Sequence, residues 1–182
     1  MSFKNINKVG LSFLLFLSVL KATAQYAPVD NGSSVQFKIK NFGIDVGGSM
    51  TGLQGMIKFD INKPAEANFD VSIDASTVNT KNEMRDNHLK NETYFDVKKY
   101  PRIHFVSDKV IPQGKDGTFL VAGNLTIKNQ TKGISFPFTA TTIGNGYLFK
   151  GGFTINRRDF GVGGMSIISD KLDVLLNVLA KK

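Results

Sequence analysis

Bulky apolar residues alternate with polar residues along about eight segments of this chain. In one of them, Phe119, Val121 and Leu125 alternate with residues such as Asn124 and Thr126. Because successive side chains of a strand point to opposite faces, each segment has one apolar face. The predicted strands are Ser34–Phe42, Gly48–Asp60, Asn68–Asp74, Arg102–Ser107, Thr118–Ile127, Gly133–Ile143, Gly146–Asn156 and Lys171–Ala180. The pattern indicates an all-β domain that buries its apolar face against a second sheet or by closing into a barrel.

One segment between the third and fourth predicted strands carries a helix signal instead. Thr80-Lys81-Asn82-Glu83 fits a capping box, in which Thr80 caps the helix and Glu83 reaches back. The signal predicts a short helix from about Lys81 to Lys90. In an all-β chain we expect this insertion to close one end of the sheet, and an external decoration is the alternative.

The N-terminus has the pattern of a cleavable secretory signal peptide. Lys4 and Lys8 precede the apolar run Val9–Leu20, and Ala22-Thr23-Ala24 fits the small-residue cleavage motif. The run is too short for an ordinary membrane-spanning helix of about 20 residues. We therefore predict a signal peptide over 1–24 and one mature domain over 25–182, located in the periplasm or secreted.

Charge and composition narrow the classes of function. The leader contains three lysines and no acids, so its removal lowers the formal net charge from +8 to +5. The remaining bases are scattered and not interleaved with aromatic residues, which argues against nucleic acid as a partner. Ordinary solubility accounts for this charge, and weak attraction to anionic membranes is the alternative.

Little in the sequence points to catalysis. The chain has no cysteine, which excludes thiolate chemistry, and only two histidines, His88 and His104. No Gly-x-Ser-x-Gly motif is present, and two histidines sixteen residues apart do not make a zinc site. We expect no enzymatic activity, no cofactor and no metal, and we expect His88 to be structural.

Three motifs of the chain are distinctive when they are taken together. They are Asn82–Leu89 with Tyr94–Asp96 and Tyr100-Pro101, then Gly123–Ile127 with Thr131-Lys132, and finally Ile155–Gly161. In this order they resemble the motifs of the YceI-like family of exported, lipocalin-like proteins that bind polyisoprenoids. The resemblance implies an eight-stranded antiparallel, lipocalin-like barrel with an apolar pore, closed at one end by the short helical insertion. It also implies a long isoprenoid ligand, such as a polyprenyl chain or an isoprenoid quinone.

The inward strand face supplies the candidate ligand-binding residues. The predicted pore lining is Phe37, Ile39, Leu53, Gly55, Ile57, Phe59, Val71, Phe105, Phe119, Val121, Gly123, Leu125, Phe136, Phe138, Phe149, Gly151, Phe153, Leu172, Val174 and Leu176. Side chains alone can fill an eight-stranded barrel. Glycine inside a strand often marks a close approach, and Gly55, Gly123 and Gly151 are expected to leave room for a thin chain.

Charged motif residues lie where the chain leaves regular structure, and they are predicted to form the mouth. The predicted mouth and lid are Met84, Arg85, Asp86, His88, Leu89, Tyr94, Phe95, Arg158, Asp159 and Phe160. Their charges could contact a ligand head group, or they could form ion pairs that hold the helix to the rim.

The resulting expectation is an exported binding protein that carries, stores or sequesters an isoprenoid lipid. Its partners would be that lipid and, transiently, a membrane surface. The alternative is a structural or stress-response protein with a solid core that acts through protein partners.

Overall fold

Within residues 24–114, 117–164 and 168–182, which the computed structural model describes, eight antiparallel strands close into a barrel. Each strand pairs with the next along the chain, and the last pairs with the first. The strands are β1 (Gln25–Asn41), β2 (Ile44–Lys58), β3 (Asn68–Asn79), β4 (Arg102–Pro112), β5 (Thr118–Ile127), β6 (Gln130–Ile143), β7 (Gly146–Asn156) and β8 (Ile168–Lys181). The predicted all-β, eight-stranded antiparallel barrel is therefore confirmed.

One α-helix, α1 (Glu83–Leu89), lies between β3 and β4, as the sequence predicts. Short 3-10 turns cover Pro64–Glu66 and Arg157–Phe160. The predicted signal peptide lies outside the described residues, except for Ala24, which packs against the core next to the start of β1.

The connections define two ends of the barrel. We call the end that carries α1 the helix end; the β1–β2 turn, the β5–β6 turn and the 3-10 turn Arg157–Phe160 lie at the same end. We call the opposite end the plug end; it carries the Pro64–Glu66 turn and the β6–β7 turn. The chain enters β1 and leaves β8 at the plug end.

Several strands are longer than predicted because they contain bulges. β1 begins at Gln25 rather than Ser34, and its pairing with β8 shifts between Val29 and Ser34. The turn-forming pair Asn31-Gly32 lies in this irregularity, and Gly32 has a φ of 89°. β4 likewise continues to Pro112 through a register shift between Ser107 and Lys109. A bulge needs the same backbone freedom as a turn, so turn-forming residues also mark bulges.

Candidate functional site

Rings from several strands fill the plug end of the barrel. Phe59 is 2% exposed, and its ring centroid lies 5.0 Å from that of Tyr147, 5.2 Å from Phe149 and 5.4 Å from Phe119. These pairs are edge-to-face, the arrangement that aromatic quadrupoles favour. Burial in this cluster raises the pKa of the Tyr147 hydroxyl. The aromatic plug, which also contains Tyr26, Phe69 and Phe138, closes this end with side chains alone.

A cavity of about 890 Å³ occupies the rest of the barrel. Its lining includes Phe69, Phe138 and Phe149 from the plug, and at the helix end it includes α1 residues such as Met84 and His88. The volume lies toward the upper end of the range for small-molecule pockets, roughly 300–1,000 Å³. The barrel is thus solid at one end and hollow toward the other.

Most of the predicted pore residues lie on this cavity. Those that border it are Phe37, Ile39, Leu53, Ile57, Val71, Phe105, Val121, Leu125, Phe136, Phe138, Phe149, Gly151, Phe153, Leu172, Val174 and Leu176. Phe59 and Phe119 do not, because they lie within the plug. Alternation along a strand predicts whether a side chain faces inward or outward, but it does not predict the position of that side chain along the barrel axis.

The prediction that three glycines leave room in the interior is wrong for two of them. A Cβ at Gly55 would lie 2.7 Å from Val71 Cα, and one at Gly123 would lie 2.7 Å from Ser107 Cα. Neither glycine borders the cavity, and both allow a neighbouring backbone to approach closely. Gly151 does border the cavity, although a Cβ there would lie only 3.1 Å from Phe138 Cβ.

The structure adds lining residues that the prediction omitted. Most are apolar residues on the strands and at the helix end: Val35, Val46, Met50, Phe69, Ile73, Ile103, Ile127, Ile155, Val162, Ile168 and Val178. Most of these extend the same alternation that identified their neighbours. Phe69, for example, is buried on β3 two residues before Val71, which the prediction did assign to the lining.

The lid is fastened to the end of β3 by a hydrogen-bonded group around Thr80, which is 5% exposed. Asp86 Oδ1 accepts from the Thr80 backbone nitrogen at 2.8 Å and from its hydroxyl. Arg85 Nε donates to Thr80 Oγ1 at 2.7 Å, and its Nη2 donates to the Thr80 carbonyl at 2.8 Å. Arg85 and Asp86 therefore hold the helix to the rim through hydrogen bonds to Thr80 and not through an ion pair with each other.

The helix cap differs from the prediction. Asn82 is the N-cap, and its side-chain oxygen accepts from the Arg85 backbone nitrogen at 3.0 Å. Within the described chain, the Glu83 carboxylate forms no hydrogen bond, so the predicted capping box between Thr80 and Glu83 is wrong. Thr80 is instead occupied by Asp86 and Arg85, and the helix starts at Glu83 rather than near Lys81.

The predicted mouth residues divide into two groups. Met84, Arg85, His88, Leu89, Tyr94, Phe95 and Phe160 border the cavity. Asp86, Arg158 and Asp159 do not. The ring of His88 lies 4.8 Å from that of Tyr94, which is buried. Arg158 forms an ion pair with Asp170 on the surface.

Arg157 is the important residue that the site prediction missed. It is 5% exposed, and its guanidinium donates to the carbonyls of Val162 at 2.7 Å, Ser169 at 3.0 Å and Ile168 at 3.1 Å. It also contacts Asp170 at 3.2 Å. The sequence signal was present, since Arg157 begins the Arg-Arg-Asp motif, but the motif does not reveal which arginine is buried.

Polar chemistry elsewhere is sparse. His104 Nε2 lies 2.7 Å from Asp70 Oδ1 on the outer wall, where both side chains are substantially exposed. In the part of the chain that the structure describes, no three His, Asp or Glu side chains form a group suited to a metal ion. No helix in that part is long and apolar enough to cross a membrane.

Among the described residues, one buried side-chain oxygen on the cavity wall has no hydrogen-bond partner. Asn41 borders the cavity at the helix end, and its side-chain oxygen is buried without a hydrogen bond among the described residues. A buried acceptor left unsatisfied costs about 1–3 kcal/mol. This atom is therefore suited to a hydrogen-bond donor from a bound molecule.

The comparison with protein families is decisive, because the family model described as a YceI-like domain matches residues 26–180. The chain belongs to the YceI-like family. Among its relatives, a UPF0312 protein of Pseudomonas fluorescens is 36% identical over 138 residues, which is 70% of each chain. A UPF0312 protein of Yersinia pestis is 29% identical over 185 residues, covering 96% of this chain and 95% of the relative.

Solved structures show the same YceI-like architecture. Burkholderia cenocepacia BcnA matches with a TM-score of 0.77 and 27% identity, over 82% of this chain and 96% of that one. The Campylobacter jejuni YCEI protein matches with a TM-score of 0.68 and 28% identity, over 75% and 85%. A polyisoprenoid-binding domain from Saccharophagus degradans, at 15% identity and a TM-score of 0.68 over 86% and 97%, shares the fold.

Proposed function

We propose that this protein is a soluble exported binding protein that holds a long isoprenoid lipid, either a polyprenyl chain or an isoprenoid quinone, for carriage, storage or sequestration. The observation that carries the proposal is the apolar cavity of about 890 Å³ that runs from the helix end to the aromatic plug. A wide, shallow cup would suit a compact ligand, whereas a deep space inside a barrel suits a chain.

Family membership supports this choice of ligand class. The Saccharophagus degradans domain that shares the fold is described as polyisoprenoid-binding. Each methylene transferred from water contributes about 0.8 kcal/mol. A membrane offers the ligand an equally apolar environment, so binding from a membrane depends on the fit of the chain to the cavity.

The buried oxygen of Asn41 favours a ligand whose head group carries a hydrogen-bond donor. Such groups include the hydroxyl of a polyprenol and of a reduced quinone. The polar residues Asn82, Asn87 and Asn91 border the cavity at the same end, so a head group would remain hydrated there. In this arrangement the tail points toward the plug.

Export is part of the proposal. The Lys4 to Ala24 pattern is that of a signal peptide, and β1 begins at Gln25, immediately after the predicted cleavage site. Cleavage there would leave the barrel complete. Cell fractionation and mass spectrometry of the mature N-terminus test this part, and a retained leader on the native protein would contradict it.

The experiment for ligand binding is extraction of natively purified protein with organic solvent, followed by mass spectrometry. We expect about one prenyl lipid per chain. Val121→Arg, on the cavity wall at 2% exposure, should abolish the lipid, whereas Leu120→Arg, on the outer face of the same strand, should retain it. Absence of lipid from the wild type, together with no binding of added polyprenol, would exclude the proposal.

A further inference from the structure

The three most exposed large apolar side chains in the described chain all lie at the helix end of the barrel. Met84 is 84% exposed, Phe42 is 74% exposed and Ile44 is 70% exposed. Phe42 lies in the β1–β2 turn, Ile44 is the first residue of β2, and Met84 lies on the first turn of α1. We call these three side chains the rim triad.

The rim triad adjoins the entrance of the cavity. Met84 itself borders the cavity, as do Asn41 and Val46, which flank the β1–β2 turn. β2 does not pair with β3 until Ser49, so the tip of the β1–β2 hairpin projects beyond the neighbouring strand. The three apolar side chains therefore lie at the same end of the barrel as the α1 residues that line the cavity.

The exposure of the Phe42 ring to water is unfavourable unless an apolar surface covers it. Phe42 has a φ of 51° and Gly43 has a φ of 79°, so both central residues of this two-residue turn are left-handed. Such turns favour Asn-Gly, because asparagine tolerates the left-handed region and a bulky side chain does not. An exposed aromatic residue here is disfavoured by the left-handed backbone and by the contact of its apolar ring with water. Neither the fold nor the cavity requires an aromatic residue at this position.

Charges around the rim triad nearly balance. Lys40 and Lys81 are exposed, Glu83 carries the opposite sign, and Asp45 pairs with Lys38 at 3.0 Å. A nearly neutral rim is unsuited to a highly charged partner. Contact at this surface must depend on the apolar side chains.

The small area of the rim triad distinguishes between two apolar partners, a second copy of the chain and a lipid bilayer. A stable contact between two copies of the chain buries about 800 Å² on each. A large side chain buries at most about 250 Å², so three of them fall short of that area even when fully covered. A bilayer imposes no such minimum, because a few apolar side chains can enter its interfacial region individually.

We infer that the rim triad docks the helix end onto a phospholipid bilayer, so that the cavity receives or releases its lipid directly at the membrane surface. This inference rests on the proposed isoprenoid function. The docked barrel places its entrance against the bilayer and its plug end in water. The ligand then passes between two apolar environments without crossing water.

The test uses flotation with vesicles of phosphatidylcholine containing a minority of phosphatidylglycerol. The variant combines Phe42→Asn, Ile44→Thr and Met84→Gln; its Asn-Gly turn favours the native hairpin. Vesicle affinity should fall at least about tenfold, because burying even one such side chain contributes at least that factor. The wild-type affinity should change little at high salt. A control with Ile111→Thr and Ile143→Thr, exposed residues of the plug end, should bind vesicles as the wild type does.

Two further measurements separate this inference from the proposed function. Both use the double variant Phe42→Asn with Ile44→Thr, because neither residue borders the cavity. Transfer of a fluorescent polyprenyl analogue from vesicles should slow about as much as the vesicle affinity of this double variant falls. Equilibrium binding of the same analogue added from ethanol should be unchanged in the double variant. Failure of the wild type to bind the analogue from ethanol would refute the proposed function while leaving the vesicle result to stand on its own.

Three outcomes would overturn the docking inference. The triple variant could float with vesicles as well as the wild type does. The plug-end control could lose as much vesicle affinity as the triple variant. Sedimentation could reveal a wild-type dimer that is absent from the triple variant, while neither protein binds vesicles. That result would make the rim triad an interface between copies or with another protein.

Discussion

Gly151 on β7 faces Phe138 on β6 across a hydrogen-bonded pair of strands, and a Cβ at Gly151 would lie 3.1 Å from Phe138 Cβ. It would also lie 3.0 Å from the Pro137 carbonyl oxygen. The position therefore has little space beside the strand, although it borders the cavity. A substitution at Gly151 combines a local steric effect with the filling of the cavity, and the two effects can be measured separately.

The variants Gly151→Ala and Gly151→Leu separate the steric effect from the filling of the cavity. The alanine variant introduces only the tight contact, so we expect a loss of about 1 kcal/mol in the free energy of unfolding and retention of lipid. The leucine variant should add the loss of lipid, because its branched side chain enters the cavity. Urea unfolding of delipidated protein and binding of a fluorescent polyprenyl analogue give the two quantities. Ser135→Leu, on the exposed face of β6, is the control, and normal binding by Gly151→Leu would contradict the position of the ligand.

The two neighbouring arginines of the third motif should differ strongly in their effect on stability. Arg157→Met keeps the length of a buried side chain but removes its donors from the carbonyls of Val162, Ser169 and Ile168. We expect a loss of at least about 3 kcal/mol in the free energy of unfolding, because unsatisfied buried acceptors are costly. Arg158→Met removes an exposed ion pair with Asp170 and should change stability by less than about 1 kcal/mol. Equal effects in urea unfolding would contradict the structural role of Arg157.

The sequence predicts the number and order of the strands well because alternation is a local signal. The predicted bounds of β5 and β7 agree with the structure, since a tight turn limits each at one end or more. The start of β1 was wrong because Gly32 supplies a left-handed backbone to a bulge rather than to a hairpin. That bulge is supported by distant partners, as Asp30 accepts from the backbone nitrogens of Gly52 and Leu53.

The candidate site was less predictable, because depth along the barrel axis depends on strand tilt and on contacts between distant strands. Phe59 and Phe138 share the inward face, yet only Phe138 reaches the cavity. Whether a glycine leaves space also depends on the opposite strand, as Gly123 illustrates with the bulged β4. Neither property is encoded in the local pattern of apolar residues.

The helix cap provides a sharp test of the lid. Asn82→Ala should lower stability by about 1 kcal/mol, because it removes the acceptor for the Arg85 backbone nitrogen. Glu83→Ala should have an effect of less than about 0.5 kcal/mol, from the helix dipole alone. Hydrogen exchange of the Arg85 amide should accelerate in the first variant only. If Glu83→Ala had the larger effect, the capping box expected from the sequence would be correct after all.

The last prediction concerns Asp74, whose carboxylate lies where β3 continues toward the lid. The Ser76 hydroxyl donates to Asp74 Oδ1 at 2.6 Å and its backbone nitrogen donates at 2.8 Å, and this holds the pKa of Asp74 below its ordinary value. Because the folded pKa is lowered, the stabilisation is present above the ordinary value of about 3.9 and is lost as the pH falls through the folded pKa.

Ser76→Ala removes the hydroxyl donor and keeps the backbone donor, so the pKa of Asp74 should rise toward its ordinary value without reaching it. The acid side of the stability profile should become less steep, because less proton uptake then accompanies unfolding. Carboxyl chemical shifts followed through a pH titration measure the pKa, and urea unfolding at several pH values measures the profile. Ser135→Ala, at an exposed site on β6, should leave both unchanged. An identical Asp74 titration in wild type and Ser76→Ala would show that the serine hydroxyl does not hold the carboxylate in solution.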